Sequence, residues 1–335
     1  MTQQLNSTKL QELVDTANHV VVIQADNPDA DSLASALALE AWLENQNKKV
    51  SLFCGVDMPS YLKFIPGWDR IHNALANTFD LAILVDCSTV TLLQKLEETK
   101  RLGSFKAHPM VVIDHHTSKA NLPFDFTLIS DPSAVSTGEL LFDIAQELRW
   151  SIDQPIAELL VTSILADSLG LTTENVTAKS IRTIAELVDR GANLAELDAR
   201  RRASMTKPLE IISYKAKLLE RIEYYCDNQL AIVEIPWKEI EQYSALYNPG
   251  VLALEDLRFA EGVKIMVALK SYPDGKITGK IRCNYGCTVA DALAAHFGGG
   301  GHPSAAGFKT FGWQQNELKK ELIKQLTILL KETRP

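Results

Sequence analysis

The chain has 335 residues, 46% of them apolar, and carries a formal net charge of −8. That length exceeds what one hydrophobic core usually organises, so two domains are expected. The acidity argues against a broad basic surface that coats long nucleic acid through many Lys and Arg contacts to phosphate, so any nucleotide partner is short. In chain order, Val20-Val21-Val22-Ile23 is a β-branched run that ends in a polar loop, and Ser32 to Leu43 has helical composition, which gives strand, loop, helix. Val50 to Cys54, Leu81 to Val85 and Met110 to Ile113 are short continuous apolar runs of the kind buried on both faces of a parallel sheet. Helices are expected at about 134–148, 155–168 and 178–190, with a domain boundary near 195 and a connector marked by Asp198-Ala199-Arg200-Arg201-Arg202. Beyond it, Gln229 to Ile235 and Val263 to Leu269 read as strands, and Tyr272-Pro273-Asp274-Gly275-Lys276 has hairpin-turn chemistry leading into the strand Ile277 to Arg282. A short helix over Val289 to Phe297, the loop Gly298-Gly299-Gly300-Gly301-His302 and a terminal helix from about Gln314 to Glu332 complete the reading.

Carboxylates and imidazoles stand just after the apolar runs: Asp29 and Asp31 after the first, Asp86 after Val85, and Asp114-His115-His116 after Ile113. In an open α/β sheet ligands gather outside the carboxyl ends of the strands, so these side chains are placed to converge. Asp29 and Asp31 can point toward different cations, and Asp86 can bridge both with its two oxygens; two ions roughly 3.5–4 Å apart would activate water and stabilise a leaving oxygen. Mixed carboxylate and imidazole ligands suit manganese, with magnesium, iron or cobalt as alternatives. A single Asp after a strand is more often a turn former or helix cap, and Asp31 before a helix fits that role. The same account is weaker for successive strand tips with adjacent imidazoles.

No apolar stretch reaches the roughly 18–20 residues of a membrane span, and the first residues lack the grammar of a secretion signal, so a cytoplasmic protein without membrane contact is expected. The five cysteines, Cys54, Cys87, Cys226, Cys283 and Cys287, are scattered without a CxxC pair and read as reduced core thiols.

Asp114-His115-His116 and the run from Gly298 to Gly307, GGGGHPSAAG, together resemble the DHH/DHHA1 phosphoesterase family. Asn27-Pro28-Asp29-Ala30-Asp31, Asp86, Ser136-Thr137-Gly138-Glu139 and Ile164-Leu165-Ala166-Asp167-Ser168 follow the family's order, so the resemblance covers nearly the whole chain. It implies an α/β fold: a parallel-sheet DHH catalytic domain over 1–195, a helical linker over 196–220 and a smaller α/β DHHA1 substrate-binding domain over 221–335. By position it implies that Asp29 binds the first metal, Asp31 the second and Asp86 both, with His115 and Asp167 completing the second. His116 would lie beside the substrate phosphate or the attacking water, and Asp114 would orient the imidazoles. Arg282 and His302 would hold a terminal phosphate, helped by backbone N–H groups of Gly299, Gly300 and Gly301; glycines let the backbone approach an anion closely.

One departure stands out. The oligoribonuclease-like and pyrophosphatase-like branches of the family carry His four positions before the first metal-binding Asp, where this chain has Ala25. Either Asp26 swings in, or water fills the position, or the first metal binds weakly. The expected activity is two-metal hydrolysis, with Mn²⁺ as the first choice and Mg²⁺ or Co²⁺ as alternatives. The substrates would be short nucleotides such as oligoribonucleotides, dinucleotides or 3′-phosphoadenosine 5′-phosphate (pAp), bound in a cleft between the domains. Alternatives are hydrolysis of pyrophosphate or polyphosphate, and a nucleotide-binding regulatory protein with weakened catalysis. The resemblance is compatible with a homodimer.

Overall fold

The computed structural model describes residues 6–117 and 119–332. The chain divides into two units after Thr206 rather than near 195. The expected linker is helical, but one of its helices ends the first unit and the next begins the second, because each packs on a different core.

In the first unit the elements are α1 (Ser7–Thr16), β1 (His19–Gln24), α2 (Ala30–Asn45), β2 (Lys49–Cys54), β3 (Ile71–His72), β4 (Leu81–Val85), α3 (Gln94–Glu98), β5 (Met110–Asp114), β6 (Thr127–Ser130), α4 (Thr137–Leu148), α5 (Gln154–Asp167), α6 (Ala178–Asp189) and α7 (Leu194–Ser204). The strands form a parallel sheet in the order β3-β2-β1-β4-β5-β6. Alternate side chains serve opposite cores: Val20, Val22, Ile83, Val85, Val111 and Ile113 meet α1, α2, α4 and α5, whereas Val21, Ile23, Ala82, Leu84 and Val112 meet Leu93, Leu96, Phe105 and Phe124. Both faces are covered, which is why these strands read as unbroken apolar runs. β1 pairs with β2 on one side and β4 on the other, so the strand order reverses between β1 and β4 and opens a crevice at their carboxyl ends.

The second unit holds α8 (Leu209–Glu220), β7 (Glu223–Tyr225), β8 (Leu230–Ile235), α9 (Trp237–Tyr243), α10 (Pro249–Leu257), β9 (Ile265–Ser271), β10 (Lys276–Cys283), α11 (Ala290–His296), β11 (Gly300–His302), β12 (Ala305–Phe311) and α12 (Gln315–Glu332). Its sheet runs β11-β12-β10-β9-β8-β7, with β8 and β9 parallel and the other pairs antiparallel. The expected turn closes β9 onto β10: Tyr272 N–H donates to Lys276 O (2.9 Å), and Gly275 takes φ +78°. One face packs on α11 and α12 through Ile265, Val267, Ile277 and Ile281. The other packs on α8, α9 and α10 through Ala231, Val233, Met266 and Ala268.

The glycine run is not wholly a loop, as its composition suggests. Gly300–His302 is a strand paired with β12, and two of its glycines are demanded by packing. A Cβ on Gly299 would lie 2.2 Å from the Gly307 carbonyl oxygen, and one on Gly301, at φ +146°, would lie 2.6 Å from Ala306 Cα. Gly300 has open space where its side chain would be. Among the described residues no helix is long and apolar enough to cross a membrane. We expect Gly299→Ala to destabilise the second unit by about 1–3 kcal/mol and Gly300→Ala by less than about 0.5 kcal/mol, measured by thermal unfolding of the full chain. Equal losses would contradict this packing.

Candidate metal centre

Asp31 lies in the first turn of α2 and is only 2% exposed. Its carboxylate is held by the start of another helix: Oδ2 accepts from Thr137 N (2.9 Å), and Oδ1 accepts from Gly138 N (3.3 Å), Ser35 Oγ (3.1 Å) and Ser163 Oγ (2.5 Å). The free N–H groups and the positive end of the α4 dipole favour an anion there. Gly138 makes the approach possible, since a Cβ would meet Ser163 Oγ at 2.1 Å. The residue that caps α2 is Asp29, not Asp31: its Oδ1 accepts from Ser32 N (2.9 Å) while Ser32 Oγ accepts from Asp29 N.

Asp86 follows β4 with φ +57°, a left-handed conformation that Asp tolerates better than most residues. Its Oδ1 accepts from Thr137 Oγ1 (2.9 Å), so Thr137 secures two carboxylates at once. His115 Nδ1 donates to the Ala134 carbonyl (3.2 Å), which leaves Nε2 to present its lone pair when the ring is neutral. That nitrogen lies 3.7 Å from Asp31 Oδ2, 3.6 Å from Asp86 Oδ1 and 3.4 Å from Asp167 Oδ2, which comes from the last residue of α5. These separations are too long for hydrogen bonds. They suit donors around one cation at the roughly 2.0–2.2 Å typical of such ligands.

The charge balance makes the same demand. Burial, then Asp31 and Asp29, push the Asp86 carboxyl well above the usual range, and burial followed by Asp31 raises Asp167. Among the described residues no Lys or Arg forms an ion pair with Asp31, Asp86 or Asp167; their only basic neighbours are imidazoles. The donors fall into two overlapping groups, Asp31 with His115 and Asp167, and Asp86 with His115 and His116, each with its ligand atoms within 4.8 Å of one another. The residues present therefore fit a bound divalent cation.

His116 stands at the exposed side of this cluster, its ring 4.5 Å from that of His115. Its Nδ1 donates to Asp114 Oδ1 (2.7 Å), and the His116 backbone N–H donates to the same oxygen (3.1 Å). Burial alone would raise Asp114, but the bonds from His116 outweigh it and hold the carboxyl below its ordinary range; the same pairing raises the imidazole. Asp29 stands outside both donor groups, exposed and engaged in its cap. Ala25 is buried in the apolar cluster with Ile23, Phe53 and Cys87. Asp26 Oδ2 accepts from Lys95 N (2.8 Å), and its Oδ1, buried without a hydrogen-bond partner among the described residues, fills the space beside Gly55, where a Cβ would come within 2.2 Å.

In the second unit, strand register sets Arg282 and His302 on one face. Each lies directly across from Ala305, on opposite sides of β12, roughly 10 Å apart by strand spacing. Arg282 Nη1 donates to the Ile281 carbonyl (2.8 Å), and His302 Nδ1 lies 3.2 Å from Ser304 Oγ.

Ser35 and Ser163 carry no sequence signal, and the position of Ser136-Thr137-Gly138-Glu139 in the sequence reveals no role beyond the Ser-x-x-Glu pattern of a helix start: Ser136 Oγ accepts from Glu139 N (3.1 Å). In metal-free protein the raised Asp86 and Asp167 carboxyls bind protons that the unfolded chain releases. Their stabilising contribution is complete below the unfolded carboxylate value and is lost as pH rises through the folded one. We expect the melting temperature in chelator to fall as pH rises from about 5 to 8, and Asp86→Asn to lessen that fall by about 2–4 °C. An unchanged slope in the variant would contradict the assignment.

The first unit matches the DHH family N-terminal domain over residues 19–164, and the second matches the DHHA1 domain over residues 242–331. The chain is 26% identical over 281 residues to the bifunctional oligoribonuclease and PAP phosphatase NrnA of Thermus thermophilus, covering 84% of this chain and 81% of that protein. It is 23% identical over 329 residues to the protein of the same name from Bacillus subtilis, covering 97% and 99%. The crystal structure of an exopolyphosphatase-related protein from Bacteroides fragilis shares the fold, with a TM-score of 0.78 at 21% identity over 99% of this chain and 100% of that one. With both domain models in order and the Asp114-His115-His116 triplet at the tip of β5, the chain belongs to the DHH/DHHA1 phosphoesterases.

Proposed function

We propose that the protein is a metal-dependent phosphoesterase that hydrolyses short nucleotides: oligoribonucleotides of a few residues, dinucleotides or pAp. The observation that carries this reading is the buried His115 Nε2 facing Asp31, Asp86 and Asp167 with no Lys or Arg to balance them among the described residues. Relatives named for oligoribonuclease and PAP phosphatase activity, matching along more than four-fifths of both chains, supply the substrate class.

Asp31, Asp86, His115 and Asp167 would hold the second cation. The first would lie toward Asp29 and Asp86, with fewer donors because Ala25 offers none. Manganese suits the mixed oxygen and imidazole set, with magnesium or cobalt as substitutes. A divalent cation at such a centre acts as a Lewis acid toward a phosphoryl oxygen and acidifies water near neutral pH. Thr137 and the α4 N–H groups fix the carboxylates, so the donors need no rearrangement on binding. His116, whose imidazole is raised by its bond to Asp114, can donate its proton to the departing oxygen of the ester, and Asp114 holds the ring in place. Arg282, His302 and the backbone of Gly299, Gly300 and Gly301 would hold a phosphate of the substrate, with Gly300 on the open side.

Purified protein with Mn²⁺ should cleave labelled di- to pentanucleotides and pAp. Asp86→Ala should abolish turnover, and His116→Asn should lower kcat by roughly 10²–10⁴-fold while retaining metal. Activity that survives Asp86→Ala would refute the reading. Calorimetric titration of Mn²⁺ into metal-free protein should show one tighter and one weaker equivalent. Asp167→Asn should weaken the tighter one by roughly 10–100-fold, and Ala25→His should strengthen only the weaker; two equal sites in the natural chain would contradict the depleted donor set.

A further inference from the structure

Within the second unit, the half-buried cations sort into two kinds. Lys207, Lys215, Arg221, Lys276 and Lys319 each have a carboxylate within 4 Å: Glu255, Asp256, Glu239, Asp274 and Glu223 respectively. Lys270, Lys280 and Arg282 are also half-buried and have no such partner among the described residues. The register gathers those three on one face. Lys270 pairs with Thr278, two residues from Lys280, which is two residues from Arg282, and alternate residues along a strand share a face.

Ala268 and Gly307 flank Lys280 on the neighbouring strands, and Met266 and Ala305 flank Arg282, so the floor is small beside Lys280. The helices on this side pack on β8 and β9, whereas β10 presents Thr278, Lys280 and Arg282 beyond them as partly exposed residues. Between α10 and β10 lies a cavity of about 170 Å³, lined by Asn248, Gly250, Ala268, Lys270, Thr278 and Lys280. Lys270 is steered by a hydrogen bond from Nζ to Asn248 Oδ1 (2.8 Å), and Gly250 leaves it room, since a Cβ there would lie 3.3 Å from Lys270 Cε. Burial and the neighbouring Lys280 lower the Lys270 ammonium, and burial and Arg282 lower that of Lys280. Solvated surface lysines would extend away from one another. These two are instead held beside a cavity with cations as their charged neighbours, an arrangement that an anion relieves.

We propose that this cavity is a second phosphate subsite, adjoining the position assigned to Arg282 and His302. It would take the next backbone phosphate of a short oligonucleotide or, in metal-free protein, the second phosphoryl group of a bisphosphorylated nucleotide. The inference rests on the short-nucleotide reading above and adds the residues that count phosphates: Lys270 and Lys280 distinguish ligands with two phosphates from those with one.

The test is calorimetric binding of AMP and of adenosine 3′,5′-bisphosphate to the full chain in chelator, where no hydrolysis intervenes. The natural chain should prefer the bisphosphate by roughly 10–100-fold, the range of one or two charge-assisted contacts. Lys280→Gln and Lys270→Gln should each erase most of that preference and leave AMP affinity within about threefold, whereas Lys280→Arg should retain it. Matching melting temperatures would show that the variants fold. If Lys280→Gln weakens both ligands by one factor, or if the natural chain binds both equally, the subsite is refuted while the hydrolysis of short nucleotides stands on its own assay. If the natural chain neither binds nor cleaves these nucleotides, the substrate class is wrong and the subsite falls with it.

Discussion

Two buried carboxylates and a third that is half-buried, all turned toward one imidazole nitrogen, are the constraint around which the first unit is organised. Asp31, Asp86 and Asp167 are supplied by α2, the end of β4 and the end of α5, and each would repel the others in a dry interior. The fold supports them before any cation arrives. Thr137 donates its N–H to Asp31 and its hydroxyl to Asp86, Ser163 and Ser35 donate to Asp31, and the first turn of α4 aims its free N–H groups at the same oxygen pair. Hydrogen bonds of this kind orient the carboxylates but do not cancel their charge, which leaves the cluster suited to a cation.

The crevice that accepts these side chains follows from strand order. With β2 on one side of β1 and β4 on the other, the loops after β1 and β4 leave in opposite directions, and Asp31 and Asp86 emerge at that opening. The left-handed backbone of Asp86 is part of the same placement. In the second unit an antiparallel register does comparable work, bringing residues from β9, β10 and β11 onto one face over Ala268, Gly307, Ala305 and Met266. The donor groups of the first unit are rich in carboxylates, whereas one face of the second carries Lys270, Lys280 and Arg282.

Much of this was legible in the chain itself. The unbroken apolar runs of β1, β4 and β5 mark strands buried on both faces, and Asp31, Asp86, His115 and Asp114 follow or end them closely enough to predict convergence. The supports were not legible, because they join distant segments: Thr137 lies 106 residues from Asp31, and Ser163 lies 132 residues from it. Asp29 rather than Asp31 caps α2 because the helix begins at Ala30, two residues before the start its composition suggests. β11 and β12 escaped notice since glycine and alanine carry no strand signal, and with them went the register that aligns Arg282 with His302. Ala25 was visible as a departure, but only the packing shows that Asp26 Oδ2 bonds Lys95 N.

The most direct test of the central claim is anomalous diffraction at the manganese edge from crystals of the natural chain grown with Mn²⁺. A peak within bonding distance of Asp31, Asp86, His115 and Asp167 is the predicted result. Ordered manganese elsewhere in the crystal, with no density among those four side chains, would contradict it.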